Sequence, residues 1–297
     1  SLVPTWHAAT DWRHRCDEIG VRTIEVGGPG GFGQLDGLAD STVISFCNGE
    51  FLANADVFRA LGCRIVWVGC MTWMFPAERE HYDRHGPFNA YVFQSEFQRL
   101  KLFPELQRYG VREEQCFLIR GAFDTEEFPC APRSHEPDTD FVIGRLARPD
   151  LDKWSSNTWQ IYGAIPYARR RARLMGWNDR LANKLGKPPE WAEVLPPCAE
   201  PSRDFMQKLH CLMAINGGAQ ENWPRIGLEA MSTGVPVIAE NQWGWREMIV
   251  HGETGFLANN DQEYAYYAGY LAMNEDARQK IIKNARERLV EELAKPE

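Results

Sequence analysis

Along the chain, short apolar or β-branched runs alternate with longer stretches whose apolar residues recur at helical spacing. Val21–Val26, Thr42–Cys47, Arg64–Gly69, Ala90–Phe93 and Cys116–Ile119 read as short, buried strands. Between several of them lie helical stretches, Ala8–Ile19, Phe51–Leu61 and Glu96–Tyr109, the last closed by Gly110 as a C-cap. A polar, proline-rich run, Pro129–Asp140 (PCAPRSHEPDTD), then interrupts the alternation. It restarts with Phe141–Gly144, a helix around Trp159, Ala172–Gly176, Cys211–Asn216, a helix from Pro224, and Val235–Ala239. The helical segment Asp261–Leu293 closes the chain. Two such series predict an α/β protein of two doubly wound, Rossmann-like domains: residues 1–130, a linker at 131–140, and residues 141–297. Ligands of such sheets bind at the carboxyl ends of the strands, which predicts a site in a cleft faced by both domains.

Composition narrows the class. At 297 residues, with 44% hydrophobic and 25% charged positions, the chain is long enough for two cores and too apolar to be disordered. No apolar run approaches the ~20 residues needed to span a bilayer. Ser1–Gly20 is charged and lacks the apolar stretch of a signal peptide. The eight cysteines include no C-x-x-C pair, so neither a zinc site nor a disulfide framework is indicated, and a cytoplasmic location is expected. The net charge of −8 argues against a general polyanion binder. Eleven tryptophans supply flat faces of the kind that sugars and bases stack on.

The most informative segment runs from Glu221 to Glu229 (ENWPRIGLE). Pro224 and Gly234 bracket one helix, followed by a buried strand. Glu221 precedes the helix and Glu229 lies in its second turn, which puts the two carboxylates on the order of 10 Å apart. Between them a helix N-terminus, with free N–H groups and a positive dipole end, suits a phosphate. A nucleotide sugar has that layout, with sugar hydroxyls at one end, a diphosphate, then ribose hydroxyls. By spacing alone, a solvated helix carrying two unrelated glutamates fits as well.

The whole stretch is more specific than its spacing. It resembles the E-x7-E signature of the retaining GT-B glycosyltransferases of family 4 (glycosyl transferases group 1), whose usual form is close to EGFGLxxLEAMAxGxPVIA. Leu228–Met231, Gly234–Ala239 and the later Glu247–Leu257 carry the match. The family often has glycine where this chain has Pro224, so backbone contacts to phosphate fall to its neighbours. The resemblance implies that Glu221 orients the donor sugar, that Glu229 holds the ribose, and that Trp223, Arg225 and Ile226 line the diphosphate. It also implies that Arg148 and Lys153, with R-x4-K spacing after the strand ending at Gly144, clamp the diphosphate and stabilise its departure. Catalytic work is thus assigned to Glu221, Arg148 and Lys153. Base recognition is expected near Leu195–Cys198.

The first half resembles the family more loosely, through Phe93–Glu96 (FQSE) and Leu118–Asp124 (LIRGAFD). Relatives often end a first-domain strand in a histidine near the reaction centre; the corresponding run here is Val66–Trp73, without one. Cys70, Met71 and His7 are the acceptor-side candidates, His7 with the alternative of a structural role. Gly28–Gly33 satisfies G-x-G-x-x-G, but Gly37 follows at once and no acidic residue ends a strand at the expected distance, which excludes a dinucleotide fingerprint. Arg169–Arg173 reads as a solvated basic rim.

The expected function is therefore a retaining hexosyl transfer from a UDP- or GDP-sugar to an unidentified acceptor, a small molecule, glycan or lipid in preference to DNA. No cofactor and no metal are expected: the only D-x-D run at the site, Asp150–Asp152, lies between the two proposed clamp cations. Two other classes remain open, a non-catalytic sugar-nucleotide-binding protein and a glycosyltransferase acting on a hydroxylated DNA base.

Overall fold

The computed structural model describes residues 2–4, 9–25, 31 and 35–295. The chain forms two compact units: the first runs to Leu118 without Ser95–Phe97, and the second comprises those three residues with Ile119–Glu297.

The first unit holds four parallel strands in chain order, β1 (Thr42–Phe46), β2 (Arg64–Val68), β3 (Ala90–Phe93) and β4 (Cys116–Leu118). Adjacent register pairs Phe46 with Val68, Val68 with Val92, and Phe93 with Leu118. Helices Gly49–Ala60 and Pro76–His85 follow β1 and β2, and Glu96–Leu106 follows β3. The first two begin where the sequence provides for it. The Asn48 side chain accepts from Phe51 N–H at 2.9 Å. Pro76 occupies a first helical position, and the Glu78 carboxylate accepts from Phe75 N–H at 2.6 Å. The core gathers Phe51 and Phe58 from one helix with Ile65, Trp67, Tyr91 and Phe93 from the sheet.

In the second unit six parallel strands lie in the order β10-β9-β8-β5-β6-β7. They are β5 (Phe141–Leu146), β6 (Arg170–Met175), β7 (Ala192–Leu195), β8 (Cys211–Ala214), β9 (Val237–Glu240) and β10 (Phe256–Ala258). Successive residues alternate between two cores, as the period of two in a strand requires. Phe141, Ile143, Cys211, Met213 and Ile238 enter one; Val142, Leu212, Ala214, Val237 and Ala239 face the other. Helices cover both faces, which is why these strands read as continuous apolar runs.

Several expectations need correction. Residues 21–25 form no strand; Thr23 makes only an isolated bridge to Leu2, and Val26 lies outside the described residues. The change of unit falls after Leu118 rather than at 131–140, because Phe123 and Phe128 are already buried in the second core. The proline-rich run is not a free linker but a strap on that core. Ala131 N–H donates to Thr233 O at 3.2 Å, and the buried Arg278 guanidinium donates to Arg133 O at 2.7 Å. Its composition signals irregular backbone, not exposure. Strands β7 and β10, which form the two edges of the sheet, escape the sequence reading. The closing helical segment is broken at Asn274 into Asp261–Met273 and Glu275–Arg288, followed by a wider turn at Leu289–Leu293. The arginine cluster sits in and beside β6 and is paired: Arg169 and Arg171 with Asp140, and Arg173 with Glu193 and Glu200. Arg170 lies over the Trp191 ring.

Burial raises the Glu78 carboxyl to about 7 despite the bond it accepts from Phe75. A carboxyl raised on folding lowers stability as pH climbs from its unfolded value toward its folded one. Glu78→Gln keeps an acceptor for Phe75 N–H and removes the buried charge. The variant should match the wild type near pH 4 and exceed it at pH 8 by about 3–3.5 kcal/mol, at about 1.4 kcal/mol for each pH unit that separates folded from unfolded titration. Denaturant unfolding at both pH values measures this; a difference independent of pH would contradict it.

Candidate functional site

In the second sheet the chain runs outward from β5 through β6 to β7, then returns to the other side of β5 for β8, β9 and β10. The order therefore reverses between β5 and β8. Loops leaving neighbouring strands at such a point diverge and open a crevice at their carboxyl ends. The loop after β5 carries Arg148 and Lys153, and the loop after β8 carries Glu221.

Lys153 and Glu221 meet there. The ammonium Nζ lies 2.8 Å from one carboxylate oxygen and 2.9 Å from the other, and the side chains are only 19% and 15% exposed. The backbone beneath them is tied down from several sides. Arg145, buried at the end of β5, donates to Lys153 O at 2.5 Å and to Asn216 Oδ1 at 2.8 Å. Asn216 passes the network on, donating to Glu240 at the end of β9 at 2.7 Å. Gly217 and Ala219 N–H groups both donate to Asp152 O, at 2.7 and 3.0 Å, binding the two loops together. Trp154, fully buried, donates from Nε1 to Arg148 O at 2.8 Å. Burial lowers the Arg145 guanidinium and raises the Glu240 carboxyl, each partly opposed by its neighbours.

Two glycines let the loops approach this closely. A Cβ on Gly217 would stand 2.3 Å from Trp154 O, and one on Gly244 would stand 1.6 Å from Asn222 O. Gly244 N–H in turn donates to Glu221 O at 2.9 Å, fixing the backbone that carries the carboxylate.

The helix after Glu221 spans Arg225–Thr233, one residue shorter at its start than expected. Pro224 takes the extended cap position, no side chain caps the helix, and Gly234 ends it with a left-handed φ of 81°. Its dipole end therefore opens four residues after Glu221, with no acidic side chain in its own first turn.

The other expected residues are distributed differently. Arg148 is 76% exposed and pairs at 3.3 Å with Asp150, so it is not in the Lys153–Glu221 contact. Glu229 lies in the second turn as expected. Burial raises its carboxyl, while a hydrogen bond with Ser202 and the charge of Arg225 draw it down. Trp223 is buried beneath the Arg120 guanidinium, 4.6 Å from the ring centroid, and Arg120 pairs with Glu247 at 3.1 Å. Arg225 lies over the Phe123 ring, and Ile226 packs half-buried against the core. Near the expected base site, Leu195 O already accepts from Gly176 and Trp177 N–H groups, at 3.0 and 2.9 Å. In the first unit Cys70 follows β2, where its thiol is hydrogen-bonded to that of Cys47, and Met71 O accepts from Gln98 at 2.8 Å. His7 and all of the Gly28–Gly33 loop but residue 31 lie outside the described residues.

Sequence reasoning misses Arg145, Asn216 and Glu240. Each is a polar residue at the end of a buried strand, which is the one available signal for them.

Residues 204–288, from the helix before β8 to the last long helix, match the model of the family described as glycosyl transferases group 1. Among solved structures, the chain resembles Anabaena Alr3699/HepE in complex with UDP-glucose, at 16% identity and a TM-score of 0.74 over 96% of this chain and 86% of that one. It resembles a glycosyltransferase from Rickettsia africae ESF-5, at 14% identity and a TM-score of 0.76 over 97% and 84%. A sucrose-phosphate synthase from Thermosynechococcus elongatus matches at 14% identity and a TM-score of 0.65 over 85% and 69%. At such identities the likeness is one of fold, and the fold is of the GT-B class: two α/β, Rossmann-like units with parallel sheets.

Proposed function

We propose that this chain transfers a hexosyl group, with retention, from a UDP- or GDP-sugar to an acceptor hydroxyl, without a divalent metal in the step. The observation that carries the reading is the Lys153–Glu221 pair, held beside an uncapped helix N-terminus where the strand order reverses. Segment 204–288 supports it by its family match, and the UDP-glucose complex of the Anabaena protein supports the donor class.

In this reading an arriving diphosphate takes the place of Glu221 as the partner of Lys153, and the dipole end at Arg225–Ile226 takes the remaining charge. Arg148, held only by a surface contact to Asp150, turns onto the same group. Glu221, released from Lys153, accepts hydrogen bonds from the sugar hydroxyls. Glu229 accepts from the ribose, whose hydroxyls restore hydrogen bonds that burial denies its carboxylate. As the glycosidic bond breaks, the departing phosphate takes the acceptor's proton, so no separate base is required. A small molecule, glycan or lipid fits as acceptor better than DNA, given the net charge of −8 and the pairing of Arg169, Arg171 and Arg173 with carboxylates.

The two glutamates should separate binding from turnover. Glu229→Ala should weaken donor binding by about 1.5–3 kcal/mol, the scale of a hydrogen bond to a charged group. Glu221→Gln should leave the affinity for the free nucleoside diphosphate unchanged or higher, since it frees Lys153, while kcat and kcat/KM fall together. Calorimetric titration with steady-state kinetics tests both; lost nucleotide affinity with normal turnover in Glu221→Gln would reverse the assignments.

Excess EDTA should leave turnover intact, whereas Lys153→Ala should cut kcat by about tenfold or more, at about 1.4 kcal/mol of barrier per tenfold. Turnover abolished by EDTA and restored by Mg²⁺ or Mn²⁺ would overturn the metal-free step.

A further inference from the structure

We propose that Asp56, His81 and His85, on the surface of the first unit, form a binding site for a borderline-soft divalent transition metal, Zn²⁺ above all. His81 and His85 stand one turn apart on the Pro76–His85 helix, so both rings lie on the same face, their centroids 5.0 Å apart. Asp56 reaches them from the Gly49–Ala60 helix. One ligand atom from each of the three lies within 4.8 Å of the other two. His85 Nε2 and Asp56 Oδ1 are 3.3 Å apart. With metal–ligand bonds of ~2.0–2.1 Å, a tetrahedral site needs ligand atoms about 3.3 Å apart. One edge of that tetrahedron is thus already present, and the exposed His85 and Asp56 need only small rotations to complete a face.

A second observation points the same way. His81 is only 7% exposed, and its Nε2 is buried without a hydrogen-bond partner among the described residues. An unpartnered buried nitrogen costs stability, and a cation accepting its lone pair would offset that cost. The surroundings hold the His81 ring in place. The Phe88 ring lies 5.0 Å from that of His81. Arg59 donates to Gly86 O and Pro87 O, both at 2.9 Å, fixing the turn after His85.

Two imidazoles and one carboxylate select for zinc-like cations; Ca²⁺ and Mg²⁺ demand more oxygen ligands. Three protein ligands leave a fourth position for water. The metal would staple the helix after β1 to the helix after β2. None of its ligands belongs to the Lys153–Glu221 site, so the metal's role is structural, and stripping it should lower stability without stopping the proposed transfer.

Cobalt chloride added to the whole chain tests this directly, because Co²⁺ reports its ligands optically. The expected result is one Co²⁺ per chain with a tetrahedral visible spectrum, no thiolate-to-metal band, and displacement by Zn²⁺, which raises Tm by mass action. His85→Asn and Asp56→Asn alter exposed side chains. Each should weaken Zn²⁺ binding by about tenfold or more, the scale seen even for groups that only orient metal ligands. The metal-free Tm should hardly change. A thiolate band, undiminished binding by His85→Asn, or no uptake of cobalt in excess would each overturn the assignment.

Discussion

The second unit is organised around Arg145. A guanidinium buried at the end of an interior strand is tolerable only where it finds acceptors, and here it holds Lys153 O and Asn216. That requirement joins the loop after β5 to the loop after β8, across the gap where the strand order reverses. Asn216 extends the link to Glu240, so three parallel strands contribute their carboxyl ends to one hydrogen-bonded platform. Lys153 and Glu221 rise from this platform. Their side chains can exchange partners by rotation, while the backbone that carries them is held. The proposed exchange of this ion pair for a ligand's charges depends on that division of labour.

The platform also explains where small residues are obligatory. Gly217 lies where the loop after β8 touches the loop after β5, so a side chain there would drive the carriers of Lys153 and Glu221 apart; Gly244, after β9, touches the backbone of Glu221 and Asn222, which a side chain would displace. Gly234 has a different task, ending the helix in the left-handed region so that the chain turns directly into β9. Pro224 in the cap position supplies no N–H, and Gly227 N–H donates to Pro224 O, so the donors at the start of this helix are those of Arg225 and Ile226.

Much of the second unit is legible in the sequence because its signals are local. Apolar runs mark β5, β6, β8 and β9, and Gly234 marks a helix end. The E-x7-E segment carries both the helix and the candidate chemistry. The pairing of Lys153 with Glu221 is not legible, since 68 residues separate them and only the sheet order brings them together. Arg145 and Glu240 are hidden for a related reason: a charge at a strand end reads as a surface residue until its partners are known. Composition misleads at Pro129–Asp140, where irregular backbone reads as a linker although Arg278 and Thr233 bind it to the core. All four strands of the first unit are legible for the same reason, but its helix Pro76–His85 is not: the residues it buries are Glu78, His81 and Tyr82, which form no apolar stripe.

Everything proposed for the transfer turns on the donor's diphosphate replacing Glu221 as the partner of Lys153. A crystal structure of the protein grown with UDP or GDP tests this replacement most directly. Phosphate oxygens should lie within hydrogen-bond distance of Lys153 Nζ and of the backbone N–H groups at Arg225–Ile226, with Glu221 turned away from the lysine. A nucleotide bound elsewhere, with the Lys153–Glu221 pair still closed, would contradict it.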